Sequence, residues 1–198
     1  LSISAEEHPM DLHLRDKHIL ITGGSKGIGL ACAQAFLQEG AKVSLVSRDT
    51  ANLGKARQTL QTQFAADRIH TVAADLRDAQ AALAALDSAE AAFGPVDVLV
   101  NSAGAAKRTP APELTPEAWQ DAMQAKYFTY IHMITPTIHR MAARGQGAVV
   151  NVVGNGGKVA SPIHLPGGAA NAALMLVSAG LAAAYGEKGI RVNAINPG

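Results

Sequence analysis

At 198 residues and 48% hydrophobic, the chain has the material for one compact domain of about its full length, 1–198, with no need of a second core. Lys and Arg (17) nearly balance Asp and Glu (16) with no long block of like charge, which argues against nucleic acid or an anionic membrane as partner and leaves a small molecule. The lone Cys32 excludes an internal disulfide.

The opening Leu1 to Pro9 carries Glu6 and Glu7 and lacks a basic start followed by an apolar core, so it reads as a loose tail to about residue 10 rather than a secretory signal. Short apolar runs then alternate with helical stretches. A first strand, His18 to Thr22, leads through a glycine-rich turn into a helix from Ile28 to Gln38. In that helix Cys32 sits among Ala31, Ala33 and Phe36 as core packing, which fits a reducing cytoplasm. Strand Lys42 to Ser47 and helix Thr50 to Phe64 follow, then strand Ile69 to Ala73 and helix Ala79 to Phe93. Strand Val96 to Asn101 precedes a long helix, Pro116 to Arg144, and strand Ala148 to Val153 precedes a helix from about Gly168 to Lys188 and a last strand, Arg191 to Ile195. Most strands are Val, Ile and Leu without polar alternation, the pattern of a parallel sheet covered by helices on both faces. The expected fold class is α/β, a Rossmann-type doubly wound sheet.

The longest apolar stretch, Ala172 to Tyr185, is interrupted by Ser178 and Gly180 and falls short of the ~18–20 residues that span a bilayer, so no membrane span is expected. Ala169 to Tyr185 is apolar nearly all round and should be buried on more than one side, one of them by the sheet. The chain ends at Asn196-Pro197-Gly198, directly after a buried-looking strand; more residues are expected to follow and to cover the substrate side of the cleft.

The turn Thr22-Gly23-Gly24-Ser25-Lys26-Gly27-Ile28-Gly29 carries the first chemical signal. Glycines at 23, 27 and 29 allow a tight strand-to-helix turn and close approach of a pyrophosphate, and the helix N-terminus behind them presents unpaired N–H groups and a positive dipole end. Such a turn alone is weak evidence; its βαβ setting gives it weight.

From Asp16 to Gly198 the chain resembles the short-chain dehydrogenase/reductase family. Thr22 to Gly29 is similar to that family's TGxxxGxG, and Asp75-Leu76 to its acidic residue beside the adenine. Asn101-Ser102-Ala103-Gly104 is similar to its NNAG turn, with Ser102 in place of the second Asn, and Arg191 to Gly198 to its last strand and Pro-Gly turn beside the nicotinamide. The resemblance therefore implies a bound nicotinamide dinucleotide, held by Gly23, Ser25, Lys26, Gly27, Ile28 and Gly29, by Arg48, Asp75 and Leu76, by Asn101, Ala103 and Gly104, and by Asn171, Pro197 and Gly198. It also implies a small-molecule substrate and a homo-dimer or tetramer; no metal is expected. The second strand ends Val46-Ser47-Arg48 without a carboxylate for a ribose diol, and Lys26 lies in the loop on the same side, which favours the 2′-phosphate of NADP(H). The plainer alternative for both is a solvated surface cation, and Asp49, able to pair with Arg48, keeps NAD(H) as the second candidate.

The family attributes catalysis to an Asn, a Ser and a Tyr-x-x-x-Lys pair. Counting back 30 residues from Pro197 puts the tyrosine position at Gly167 and the lysine position at Asn171. The serine position falls on Gly154, 13 residues before 167, and the Asn position, seven beyond Trp119, on Lys126. Glycine has no proton to give, and Asn171 carries no charge to lower a neighbour's pKa. The replacement acid is then sought nearby. His164, three residues before Gly167, is of the type that exchanges protons near neutral pH, and Lys126 offers a charge for the oxyanion. Each has a bland alternative, a solvated loop histidine and a helix lysine reaching to water. Lys158 and Ser161 rank lower; Tyr130 shares the helix face of Lys126 and Tyr127 does not. The leading reading is an NADP(H)-dependent oxidoreductase acting on a carbonyl or secondary alcohol with a non-standard proton donor. The alternatives are a catalytically silent NADP(H)-binding sensor or structural subunit and, less supported, elimination or isomerisation chemistry.

Overall fold

In the computed structural model, residues 10–104 and 106–197 are described; most of the expected loose tail and Gly198 lie outside them. Six parallel strands form one sheet in the order β3-β2-β1-β4-β5-β6. These are β1 His18–Thr22, β2 Lys42–Ser47, β3 Ile69–Ala73, β4 Val98–Asn101, β5 Gly147–Val152 and β6 Ile190–Ile195. Helices α1 Gly27–Gln38, α2 Thr50–Gln61 and α3 Ala79–Phe93 alternate with the first strands, and α4 Pro116–Ala122, α5 Thr129–Arg144 and α6 Leu165–Tyr185 come later. The α/β doubly wound expectation holds. Strand ends differ from it by one or two residues, and α2 stops three residues before Phe64.

Alternation along the strands feeds two cores. Ile19, Ile21, Val43 and Leu45 pack with Ala33 and Leu37 of α1 and Leu53 and Leu60 of α2. On the other face Leu20, Leu99 and Val149 pack with Leu86 of α3, Ile134 and Met141 of α5 and Leu174 of α6. Both faces are apolar because both are roofed, which is why the strands show no polar alternation.

The chain reverses its direction of travel across the sheet between β1 and β4, whose residues pair from Ile19 with Val98 to Thr22 with Asn101. Ligands of open α/β sheets bind at such a switch point, beyond the carboxyl ends of the strands. Here those ends are stitched by buried polar side chains. Thr22 Oγ1 donates to Asn101 Oδ1 (3.3 Å), Asn101 Nδ2 to Asn151 Oδ1 (3.0 Å), and Asn151 Nδ2 to Ser178 Oγ (2.9 Å) on α6. Thr22 Oγ1 also accepts the N–H groups of Ser102 and Ala103 at 3.1 and 3.2 Å, which holds the turn after β4.

Three expectations about helices change. The single helix Pro116–Arg144 is broken by a π-turn, Met123–Phe128, between α4 and α5. The polar pattern of 123–128 suits either kind of turn, so packing decides: the Ala125 carbonyl lies against Gly104, and Lys126 is carried into the interior. α6 starts at Leu165, three residues early, because Pro166 suits a first turn whose N–H would be unpaired anyway. With the turn that follows it, α6 runs from Leu165 to Lys188 with a mean hydropathy of 1.5 in its apolar window, long and apolar enough for a span by length and composition alone. The expected stretch, Ala172 to Tyr185, left out the helix's first turns and counted Ser178 as an interruption, whereas its hydroxyl donates to the Leu174 carbonyl (2.7 Å) inside the helix. In this fold α6 packs on the sheet through Ala170, Asn171, Leu174 and Ser178. It is not enclosed on a second side within one chain, for Leu176 is 76% exposed.

Asn101→Ala should lower the unfolding free energy by about 2–4 kcal/mol, since it strands the Thr22 hydroxyl and the Asn151 carbonyl at about 1–3 kcal/mol each. Urea denaturation of the two proteins is the check.

Candidate functional site

The glycine turn between β1 and α1 is tight against itself and open to solvent at one point. Gly23 has φ +66°, and a Cβ there would lie 2.8 Å from the Ser102 carbonyl oxygen. A Cβ on Gly29 would collide with the Gly23 carbonyl, whereas one on Gly27 would meet nothing within 4 Å. α1 has no side-chain cap at Lys26 and no acidic residue in its first turn, so the chain's own side chains leave its leading N–H groups to an anion. These features fit a pyrophosphate.

Beside the turn lies a cavity of about 1010 Å³, lined by Gly23, Ser25, Lys26 and Ile28 of the turn and α1, by Ser47, Arg48 and Asp49 after β2, by Asp75, Leu76 and Arg77 after β3, and by Ala103, Gly104, Ala125 and Thr129. Ser25, 7% exposed, donates to Ser47 Oγ (3.0 Å) and so ties the turn to the end of β2. Asp49 does not pair with Arg48. It caps α2, its two oxygens taking the Asn52 N–H (2.9 Å) and Nδ2 (2.8 Å). Asp75 is engaged by Arg77, with Nη2 to Oδ2 at 2.5 Å, and this pairing, helped by Arg48 nearby, holds its carboxyl below the usual carboxylate range. Arg77 was not foreseen. Its only sequence signal is its spacing two residues from Asp75.

Several expected contacts sit elsewhere. Asn101 does not line the cavity; its amide is fully buried in the polar stitch below it. Gly104 does line it, with φ +84° and no room for a Cβ against the Ala125 carbonyl. Asn171, 5% exposed, accepts the Gly154 N–H at 3.2 Å rather than reaching the cavity, and its Nδ2 lies 3.0 Å from where a Cβ on Gly154 would stand. Pro197 is exposed just after β6, where Asn196 Nδ2 donates to the Val153 carbonyl (2.8 Å).

His164 and Gly167 share one space. A Cβ on Gly167 would collide with Cε1 and Nε2 of the His164 ring, so the imidazole fills the volume into which a side chain at 167 would grow. His164 stands at the start of α6, where its carbonyl accepts the Gly168 N–H (2.8 Å), and its buried Nδ1 has no hydrogen-bond partner among the described residues. The residue as a whole is partly exposed, with Nδ1 on its buried side.

Lys126 points inward, neither to water nor into the open cavity. It is 9% exposed; its ammonium donates to Tyr130 Oη (2.8 Å) and to the Val152 carbonyl (3.2 Å), and lies 4.4 Å from the Tyr130 ring centroid. Tyr130 Oη donates in turn to the Val152 carbonyl (2.6 Å). Burial pulls the Lys126 ammonium down to about 8 and pushes the Tyr130 hydroxyl up. The expected direct contact with an oxyanion is thus replaced by an internal bond to the end of β5. The cause is the π-turn, which exposes Ala125 and Thr129 to the cavity and turns Lys126 away.

Residues 17–198 match the short chain dehydrogenase family profile. The chain belongs to the short-chain dehydrogenase family. It is 35% identical over 189 residues to the D-threitol dehydrogenase of Mycolicibacterium smegmatis, covering 94% of this chain and 71% of that one. The L-sorbose reductase of Gluconobacter frateurii, solved with NADPH and L-sorbose, superposes with a TM-score of 0.89 at 33% identity, over 96% of this chain and 72% of that one. An NADPH-bound short chain oxidoreductase of Pseudomonas aeruginosa, described as containing an atypical catalytic center, superposes with a TM-score of 0.88 at 31% identity, over 95% and 72%. The short-chain dehydrogenase fold thus accounts for the placement of the glycine turn, the cavity and the ends of β4 and β5.

Two outcomes follow from the buried groups. Gly167→Ala should cost about 1–3 kcal/mol by crowding the His164 ring, and most of that loss should vanish when His164→Ala is present as well; thermal denaturation of the four proteins of the cycle measures it. Lys126→Met should raise stability at pH 7 by about 1–3 kcal/mol, because the folded ammonium titrates near 8 against an ordinary 10.5 and its burial is unfavourable while charged. Between pH 8 and 10.5 the parent protein should gain on the variant as Lys126 loses its proton, which urea titrations across that range follow.

Proposed function

We propose that this short-chain dehydrogenase is an NADP(H)-dependent oxidoreductase that interconverts a carbonyl and a secondary alcohol, with His164 as proton donor. The observation that carries the cofactor choice is the arrangement at the end of β2: Lys26 and Arg48 both line the cavity, Ser47 is uncharged, and Asp49 is committed to Asn52. A 2′-phosphate finds cations there, and a ribose diol finds no free carboxylate. NADPH-bound relatives of similar fold support the same choice.

Bound NADPH supplies the hydride to the carbonyl carbon. The chain's own part is to seat the diphosphate on the α1 N-terminus, wall the cavity beside it with Ala103, Gly104 and Thr129, and return a proton to the substrate oxygen. His164 holds the space in which a side chain at 167 would stand, the position to which the family resemblance assigns the acid. In the reductive direction His164 would give an imidazolium proton to the substrate oxygen and be left neutral as the carbonyl becomes an alcohol. Lys126 acts behind this, holding the π-turn to the end of β5 through Val152.

The outer face of α6, with Leu176 exposed, is the surface through which we expect a homo-dimer or tetramer to form, and light scattering should give a multiple of the chain mass. The free Cys32 thiol, pushed up in pKa by burial, suits a reducing cytoplasm.

Fluorescence titration should give NADPH binding at least tenfold tighter than NADH, about 1.4 kcal/mol, and Arg48→Ala should remove most of that difference. Equal affinities would return the cofactor choice to NAD(H). His164→Ala should cut turnover by about 10²-fold or more with NADPH affinity retained. Full turnover in that variant would remove His164 as donor, and cofactor binding with no turnover in the parent protein would favour a silent binding subunit.

A further inference from the structure

A second cavity, of about 240 Å³, has His164 in its wall. The short helical turn Asn155–Gly157, the loop after it and the first turns of α6 border it, and it opens to solvent past Lys158, Ala160, Ala169 and Ala172, all exposed. Its floor is backbone laid on backbone. A Cβ on Gly157 would stand 2.7 Å from the Ala172 nitrogen, and one on Gly168 would stand 2.8 Å from the Gly156 carbonyl oxygen, so no side chain fits where the two backbones meet.

The charge around this space has one sign. Lys158 and Ser161 line it together with His164, and no carboxylate does. The buried His164 Nδ1 has no partner among the described residues. α6 begins at the same place with no side-chain cap and no acidic residue in its first turn, so the positive end of a 21-residue helix faces the same region. The remaining wall, Ala160, Leu165, Ala169 and Ala172, is short and apolar. At about 30 Å³ of liquid volume per water, the space equals roughly eight waters, enough for a compact anion on a short carbon chain and too little for a second nucleotide.

We infer that this cavity receives the anionic end of the substrate, and that the protein reduces small carbonyl compounds bearing a carboxylate or a phosphate, with Lys158 as the counter-charge and the carbonyl beside His164. The inference rests on the reading of His164 as proton donor for its kinetic part alone; anion binding in the cavity stands without it. Lys158 sets specificity, because it meets the end of the substrate remote from the reacting carbon and its effect falls on KM. His164 meets the reacting oxygen and its effect falls on kcat.

The test uses the full chain with NADPH. Oxo acids with the carbonyl one, two or three carbons from the carboxylate are compared with their methyl esters, and with a phosphorylated ketone of similar size. The expected result is a kcat/KM at least tenfold higher for one of the anions than for its neutral counterpart, with that preference lost in Lys158→Ala and partly restored in Lys158→Arg. Whichever of carboxylate and phosphate shows the preference identifies the anion. Calorimetric titration of the same oxo acids and of inorganic phosphate provides a readout that needs no turnover. Anion binding that weakens tenfold or more in Lys158→Ala supports the site even where no carbonyl is reduced, and that outcome counts against the oxidoreductase reading alone. Turnover of acids and esters with equal kcat/KM, indifferent to Lys158, overturns the inference and leaves the oxidoreductase standing. Absence of both anion binding and turnover overturns both.

Discussion

The geometry of the site depends on the carboxyl ends of β1, β4 and β5 standing at one height, and a buried relay of amides and hydroxyls holds them there. Backbone pairing within the sheet sets register, from Thr22 beside Asn101 to Asn101 beside Asn151, but leaves the turns beyond those residues free. The side chains of the same three residues close that freedom. Thr22 Oγ1 anchors the turn after β4, and Asn151 reaches across to Ser178 and thereby fixes the level of α6 against the sheet. Each group is fully buried or nearly so, where an unmade hydrogen bond is costly, so the relay holds as a unit. The same feature accounts for the position of Asn101, whose duty is below the cavity and not in it.

On this frame the nucleotide end is built by leaving groups unsatisfied. The first turn of α1 lacks a cap and a carboxylate, and the cations Lys26, Arg48 and Arg77 gather at one rim of the cavity. Two aspartates sit among them, yet both are occupied: Asp49 by the Asn52 backbone and side chain, Asp75 by Arg77. A ligand therefore meets two carboxylates whose oxygens already accept hydrogen bonds from within the chain. Salt should weaken such contacts at the exposed rim more than at the helix N-terminus, since screening acts chiefly on charges in solvent.

The sheet and its helices were legible because unbroken apolar runs and helical stretches alternate without a gap, and each carries its own period. The glycine turn was legible because only glycine tolerates the positive φ at 23 and the closeness at 29. The π-turn was not, since residues 123–128 carry the same pattern whichever way they wind, and the deciding contact, Ala125 against Gly104, is about twenty residues distant in sequence. That one missed turn carried with it the inward aim of Lys126. Arg77 and the occupation of Asp49 were hidden for a related reason: a charge pair depends on rotamers and caps that residue order does not state.

His164 shows what a vacated position does in a close-packed protein. Gly167 has no side chain at the buried start of α6, and the space is filled by the ring of His164, the residue just before the helix. The imidazole is confined by Gly156 on one side and Gly167 on the other, which gives it a defined position without a hydrogen bond to Nδ1. A ring with no carboxylate partner does not have its tautomer set in advance. Glycines at 156 and 167 thus do more than leave room: they let the histidine ring lie between two stretches of backbone and line the space that Lys158 borders.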